Sequence, residues 1–226
     1  MRMLATPLLA PPVALALLIA LAACVPTTPP ATTPTLSSPL PTATAAEELT
    51  GPTPATIVIS TSLILVNDSE GTTIDHFDYF ADPTAAIDAF TEYFGGEPVV
   101  TPFEGSNHEW PGNFYNWDDF GIIDYVGGPG STGEDFGVRA AAATVRGLVI
   151  ETVHGIAVGD TAATASAAGA IAGSLEYEGT THAWLEMDRI SVDNNVPDAR
   201  AFVYLTLTST GETITQLHAP SGNYGL

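Results

Sequence analysis

Beyond residue 56 the chain is a series of short apolar runs broken by glycine, proline and Asx-rich turns. Ile57-Val58-Ile59 and Leu63-Ile64-Leu65-Val66 are β-branched or apolar, and Asn67-Asp68-Ser69-Glu70-Gly71 separates them from residues 72–80. That pattern predicts a strand, a turn and a returning strand. Asp82-Pro83 then offers a capping carboxylate followed by proline at a first helical position, and Ile87, Phe90 and Phe94 recur at helical spacing up to Gly95-Gly96. Strands are expected at 97–103, around Trp110 and at 114–126, followed by a glycine-rich loop at 127–133. Residues 137–145 and 148–153 read as strands about a turn at Arg146-Gly147, and Asp160 as the cap of a second helix ending at Gly173. Near the C-terminus Ala201, Val203, Leu205 and Leu207 alternate with Phe202, Tyr204, Thr206 and Thr208, the period of a half-buried strand.

Sliding the chain by 78 residues lays His76 on His154, Asp82 on Asp160, Ala85 on Ala163, Ala89 on Ala167 and Gly95 on Gly173. The cap and the terminating glycine define a helix, so their coincidence predicts two copies of one unit, at 57–134 and 135–226. The expected fold is α+β: two tandem strand-strand-helix-strands units forming an antiparallel sheet with the helices on one face. The second helix is the weaker, because residues 161–172 are mostly alanine with Gly169 inside.

The first 55 residues read differently. Met1-Arg2-Met3 is a short basic start, the run from Leu8 to Leu21 is apolar, and small residues precede Cys24, the chain's one cysteine. A membrane-spanning helix needs about 20 apolar residues, and this run of roughly 14 follows close on Met1 and is interrupted by Pro11-Pro12. Leu21-Ala22-Ala23-Cys24 resembles the lipobox of bacterial lipoproteins. The resemblance implies a signal peptide at 1–23, lipidation of Cys24 as the first mature residue, and a membrane-anchored protein on the extracytoplasmic face. Residues 24–55 are rich in proline and threonine and read as a linker; some 30 residues in extended geometry reach about 90 Å.

Composition narrows the partners. The chain has 26 acidic residues, five arginines and no lysine, a formal charge of −21. Such a surface repels phosphate backbones and anionic head groups, so nucleic acid is excluded as a partner and membrane attachment rests on the lipid. With Cys24 acylated no thiol remains for a disulfide or a metal site. The five histidines are scattered, no His-Glu-x-x-His or calcium loop is present, and Gly-x-Ser-x-Gly and lysine-bearing phosphate loops are absent. No cofactor or metal is implied.

Gly155-Ile156-Ala157-Val158-Gly159-Asp160 is similar to the helix entry of small exported domains such as the β-lactamase inhibitor protein and the small lipoprotein of outer-membrane assembly. That resemblance implies tandem or single helix-and-sheet units that bind other proteins, and carries over no residue role. Aromatic, amide and carboxylate groups are densest between Asn107 and Phe120. His108, Glu109, Trp110, Tyr115, Trp117 and Asp119 are the expected ligand-binding residues, their rings either facing a ligand or packing between sheet and helix. The sequence reads as a non-catalytic envelope lipoprotein that binds a protein before a glycan. The alternative is an envelope glycan hydrolase working through Glu109 and either Asp118 or Asp119.

Overall fold

The computed structural model of the protein describes residues 51–105, 110–177, 180–192 and 199–223. All fall within one compact unit, Leu49–Leu226. The expected lipobox with Cys24, the part of the expected linker up to residue 50, His108 and Glu109 lie outside the described residues.

The chain opens with β1 (Pro54–Ile59), β2 (Leu63–Asp68) and β3 (Thr73–Asp78), an antiparallel meander closed by side-chain turns. Ser60 Oγ donates to the Leu63 carbonyl at 2.8 Å, and Asp68 Oδ1 accepts the N–H groups of Glu70 and Thr72, both at 2.9 Å. Helix α1 (Thr84–Tyr93) follows. The helix begins one residue later than Asp82-Pro83 suggested: its cap position is Pro83, without a side-chain cap, while the Asp82 carboxylate accepts the Thr84 N–H at 2.8 Å, and hydrogen bonds from the Thr84 side chain and then its N–H hold the carboxyl below the usual range. Gly95, at φ 67°, ends the helix.

Next come β4 (Val99–Phe103), β5 (Gly112–Trp117), β6 (Phe120–Tyr125) and β7 (Phe136–Ala140), then β8 (Thr144–Val145) and β9 (Leu148–Thr152). Helix α2 (Ala162–Ala167) precedes β10 (Ile171–Tyr177), β11 (Thr180–Ser191), β12 (Arg200–Leu207) and β13 (Ile214–Asn223). The strands form two sheets, one ordered β3-β2-β1-β9-β8 and the other β10-β11-β12-β13-β7-β6-β5-β4. The eight-stranded sheet is antiparallel throughout; its two four-stranded meanders, each preceded by a helix, meet where β7 pairs β13. The five-stranded sheet is mixed, because β1 and β9 pair in parallel with Ile57 opposite Ile150.

One continuous core draws on both sheets and both helices. Ile57, Ile59, Ile64 and Ile150 come from the smaller sheet, Phe90 and Ala165 from the helices, and Trp117, Ile122, Val138, Val203, Leu205 and Leu217 from the larger. Phe90, Phe94, Trp117 and Phe120 pack as an aromatic knot with ring centroids 4.9 to 6.5 Å apart.

This architecture overturns the expected α+β fold with helices on one sheet face. The chain is mostly strand, and the two helices among the described residues have 10 and 6 residues. The second expected helix stops early for a physical reason: Gly169 adopts φ 103°, alanines supply no apolar stripe, and residues 171–177 pair with β11 instead. Gly173, expected to end that helix, lies inside β10, and the α2 cap is Thr161, whose hydroxyl accepts the Thr164 N–H at 3.0 Å. Asp160 instead accepts the Ala157 N–H at 2.9 Å. The expected boundary at 134/135 falls between β6 and β7, which pair as neighbours in one meander. Among the described residues no helix is long and apolar enough to cross a membrane.

Trp117 is fully buried and its indole N–H donates to the Gly96 carbonyl at 2.9 Å, whereas Trp110 is 50% exposed. Replacing Trp117 by alanine should cost about 3 to 5 kcal/mol in denaturant unfolding, and replacing Trp110 under about 1 kcal/mol. Equal losses would contradict this packing.

Candidate functional site

Strand alternation gives the eight-stranded sheet two unlike faces. Trp117, Phe120, Ile122, Val138, Leu217, Val203, Leu205 and Leu185 point into the core. Their neighbours point the other way, and register lines them up across all eight strands: Val99, Asn116, Gly121, Arg139, His218, Tyr204, Glu186 and Ile171. Phe114 and Phe202 lie on one side of this row, and Gln216, Thr206, Trp184 and Gly173 on the other.

This outer face is rich in rings and arginine. Trp184 and Tyr204 stack at 5.7 Å and 23°, and Tyr204 stacks on Phe202 at 6.4 Å. Arg200 lies over the Phe202 ring at 5.9 Å and Arg139 over the Phe114 ring at 5.3 Å. Glycines make room for the rings. A Cβ at Gly173 would stand 2.4 Å from the Trp184 indole, and one at Gly112 2.8 Å from the Phe103 ring. Ile171 and Leu175 on the outer side of β10 remain 49% and 58% exposed beside Trp184.

Glu186 is the electrostatic hub. It is buried, yet accepts from Arg200 Nε at 2.7 Å, Arg200 Nη2 at 3.0 Å and the Trp184 indole at 3.3 Å, with Arg189 Nε at 3.3 Å. Burial alone raises its carboxyl, but these hydrogen bonds and the two guanidinium charges outweigh burial and hold it below the usual range. His218 is the opposite case. Its Nε2 is enclosed without a hydrogen-bond partner, although part of the residue reaches the surface. Burial, then the nearby Arg139 charge, push the imidazole down to about 4.

The expected ligand-binding residues are separated by this arrangement. Trp117 belongs to the core, the second of the two expectations for these rings, packing against Phe90 and Phe94 of the first helix's end. Tyr115 is half-buried on the core side, its hydroxyl pKa raised by burial and by the Asp124 charge. Trp110 is exposed but lies against Gly127 and Gly128, in a different neighbourhood. Asp119 is on the surface in the two-residue turn between the paired Trp117 and Phe120. Asp118 shares that turn at φ 57° and forms an ion pair with Arg146 Nε at 2.9 Å. A hollow of about 250 Å³ opens there, lined by Asn116, Asp118, Asp119, Arg139 and Gln216 among others. Both aspartates line it, a convergence that adjacent positions on a strand would forbid.

Arg139, Glu186, Arg200, Tyr204 and His218 were not among the expected residues. The signal for one of them was present: Tyr204 alternates with the core residues Val203 and Leu205 along β12. Among the described residues no three histidine, cysteine or carboxylate groups gather as a metal site would require. Compared with protein-family models, curated proteins and solved structures, the chain matches none.

Two outcomes follow from the buried charges. Glu186→Ala leaves Arg200 without its carboxylate and should cost about 3 to 5 kcal/mol, whereas removing the exposed pair through Asp118→Ala should cost about 1 kcal/mol or less. The unfolded chain binds a proton at His218 near pH 6.5 while the folded chain resists to about 4, so stability is lost as pH falls through that window. The loss is at most about 3 kcal/mol. Unfolding of His218→Gln should show a flatter pH profile across that range; an unchanged profile would contradict the enclosed imidazole.

Proposed function

We propose that the protein is a lipid-anchored, extracytoplasmic binding protein without catalytic activity, and that it engages a protein partner through the outer side of β10 to β12. The observation that carries this reading is the patch formed there by Ile171, Leu175, Trp184 and Tyr204, braced by the Glu186 and Arg200 pair. Tryptophan, tyrosine and arginine are the residues that anchor protein interfaces, and large exposed aliphatics on one sheet face are otherwise a solubility cost. The ring stack is held by the buried carboxylate before any partner arrives, so little ordering remains to oppose binding. The acidic remainder of the surface favours a partner with positive potential around the contact.

The anchor rests on Leu21-Ala22-Ala23-Cys24. A fatty-acid analogue should label the protein, and Cys24→Ala should abolish both label and membrane retention; equal labelling of the variant would overturn the anchor. The interface is tested by photo-crosslinking. A crosslinking residue at position 204 should capture a discrete envelope protein, and Leu175→Ala, at a position 58% exposed, should weaken that capture by about 1 kcal/mol or more with little change in the unfolding midpoint. The same probe at Val149, exposed on the other sheet, should capture nothing. Equal adducts from both positions, or none from position 204, would refute the assignment.

A further inference from the structure

The chain has few cations, and the structure uses almost all of those it describes. Arg146 is paired with Asp118, and Arg189 and Arg200 with Glu186. Arg139 is the exception: among the described residues no carboxylate stands within 4.0 Å of it, and its recorded contact is the Phe114 ring. A guanidinium left without a carboxylate in a chain with 26 acidic residues is a site awaiting an anion.

The surroundings say which anion. Arg139 lines the hollow of about 250 Å³ at the end of β5, together with the amides of Asn116 and Gln216 and the carboxylate of Asp119. Asp118, also on the wall, is already neutralised by Arg146. Asp119 makes no ion pair among the described residues. Glycine floors the hollow, since a Cβ at Gly121 would come within 2.7 Å of Asn116 Oδ1 and push that amide aside.

One free guanidinium, one free carboxylate and two amides complement a molecule that carries both charges. A plain anion would meet Asp119 and the negative field of the whole chain, and a plain cation would meet Arg139. We propose that this hollow binds a small zwitterion of amino-acid or dipeptide size. Its carboxylate is taken by Arg139, its ammonium by Asp119, and its amide by Asn116 and Gln216. The site lies at the β5 to β7 and β13 side of the face, apart from the patch on β10 to β12, so it stands or falls independently of the protein-binding reading.

The test uses the whole chain and alanyl-alanine as the probe, read by amide and arginine side-chain chemical shifts. Titration should give saturable shifts at Gly121, Arg139 and Gln216. Amidating the dipeptide's carboxyl end or acetylating its amino end should each weaken binding by about tenfold or more, the loss of one charge-assisted pair. Arg139→Gln should abolish the response to the probe. If that variant does not fold, Asp119→Asn in the exposed turn should weaken the zwitterion about tenfold while leaving acetate binding no weaker. Equal binding of the acetylated probe would overturn the zwitterion, and absence of saturable shifts would overturn the site.

Discussion

A sheet of eight strands buries both faces only if something lies against each, and here a single shared core lies against one. Burial of Trp117, Phe120, Ile122, Val138, Val203 and Leu205 fixes the register, because a slip of one residue would send every one of them to the outer side. The same register places Arg139, His218, Tyr204 and Glu186 in one row. The outer face is therefore a by-product of core packing in its positions, though not in its chemistry. An ordinary solvent face would carry scattered threonine and charge, whereas this one stacks Trp184, Tyr204 and Phe202, sets arginines over Phe202 and Phe114, and leaves Gly173 beneath the Trp184 ring.

Charge shows the same concentration. The negative formal charge is spread over a surface with few cations, yet of the four described arginines two lie over rings on this face and a third joins the Glu186 cluster. Burying Glu186 among them is costly unless every oxygen is satisfied, and both are. The result is a ring stack at one end of the face and, at the other, a guanidinium without a carboxylate among the described residues. Rigid aromatic patches suit extended contacts with a macromolecule, and a small polar hollow suits a small ligand, so the two ends call for different partners.

Local signals in the sequence were legible and long-range ones were not. The first helix, its Asp82 bond and its Gly95 stop follow from residue chemistry, as does the alternation in β12. Alternation marks which side chains share a face without telling which strands share a sheet, so the parallel pairing of Ile57 with Ile150 and the split into two sheets could not be read. The 78-residue self-similarity misled because it matched short helix-end chemistry: Gly173 resembled a terminator, while Gly169 did the terminating. Dense aromatics from Trp110 to Phe120 looked like a site, yet Trp117 was drawn into the core with Phe90 and Phe94. Arg139 and His218 are 79 positions apart in the sequence, and only register brings them together.

If the outer face of the eight-stranded sheet is the proposed binding surface, its rings are covered where the partner is present. Oxidative footprinting of side chains tests it most directly, by comparing the purified protein with the protein displayed on intact cells. In the purified protein Trp184 and Tyr204 should be modified and Trp117 and Tyr79 protected. On cells, modification of Trp184 and Tyr204 should fall while that of Trp110 stays the same. Identical modification of Trp184 and Tyr204 in both settings, or protection of Trp110 alone, would contradict the claim.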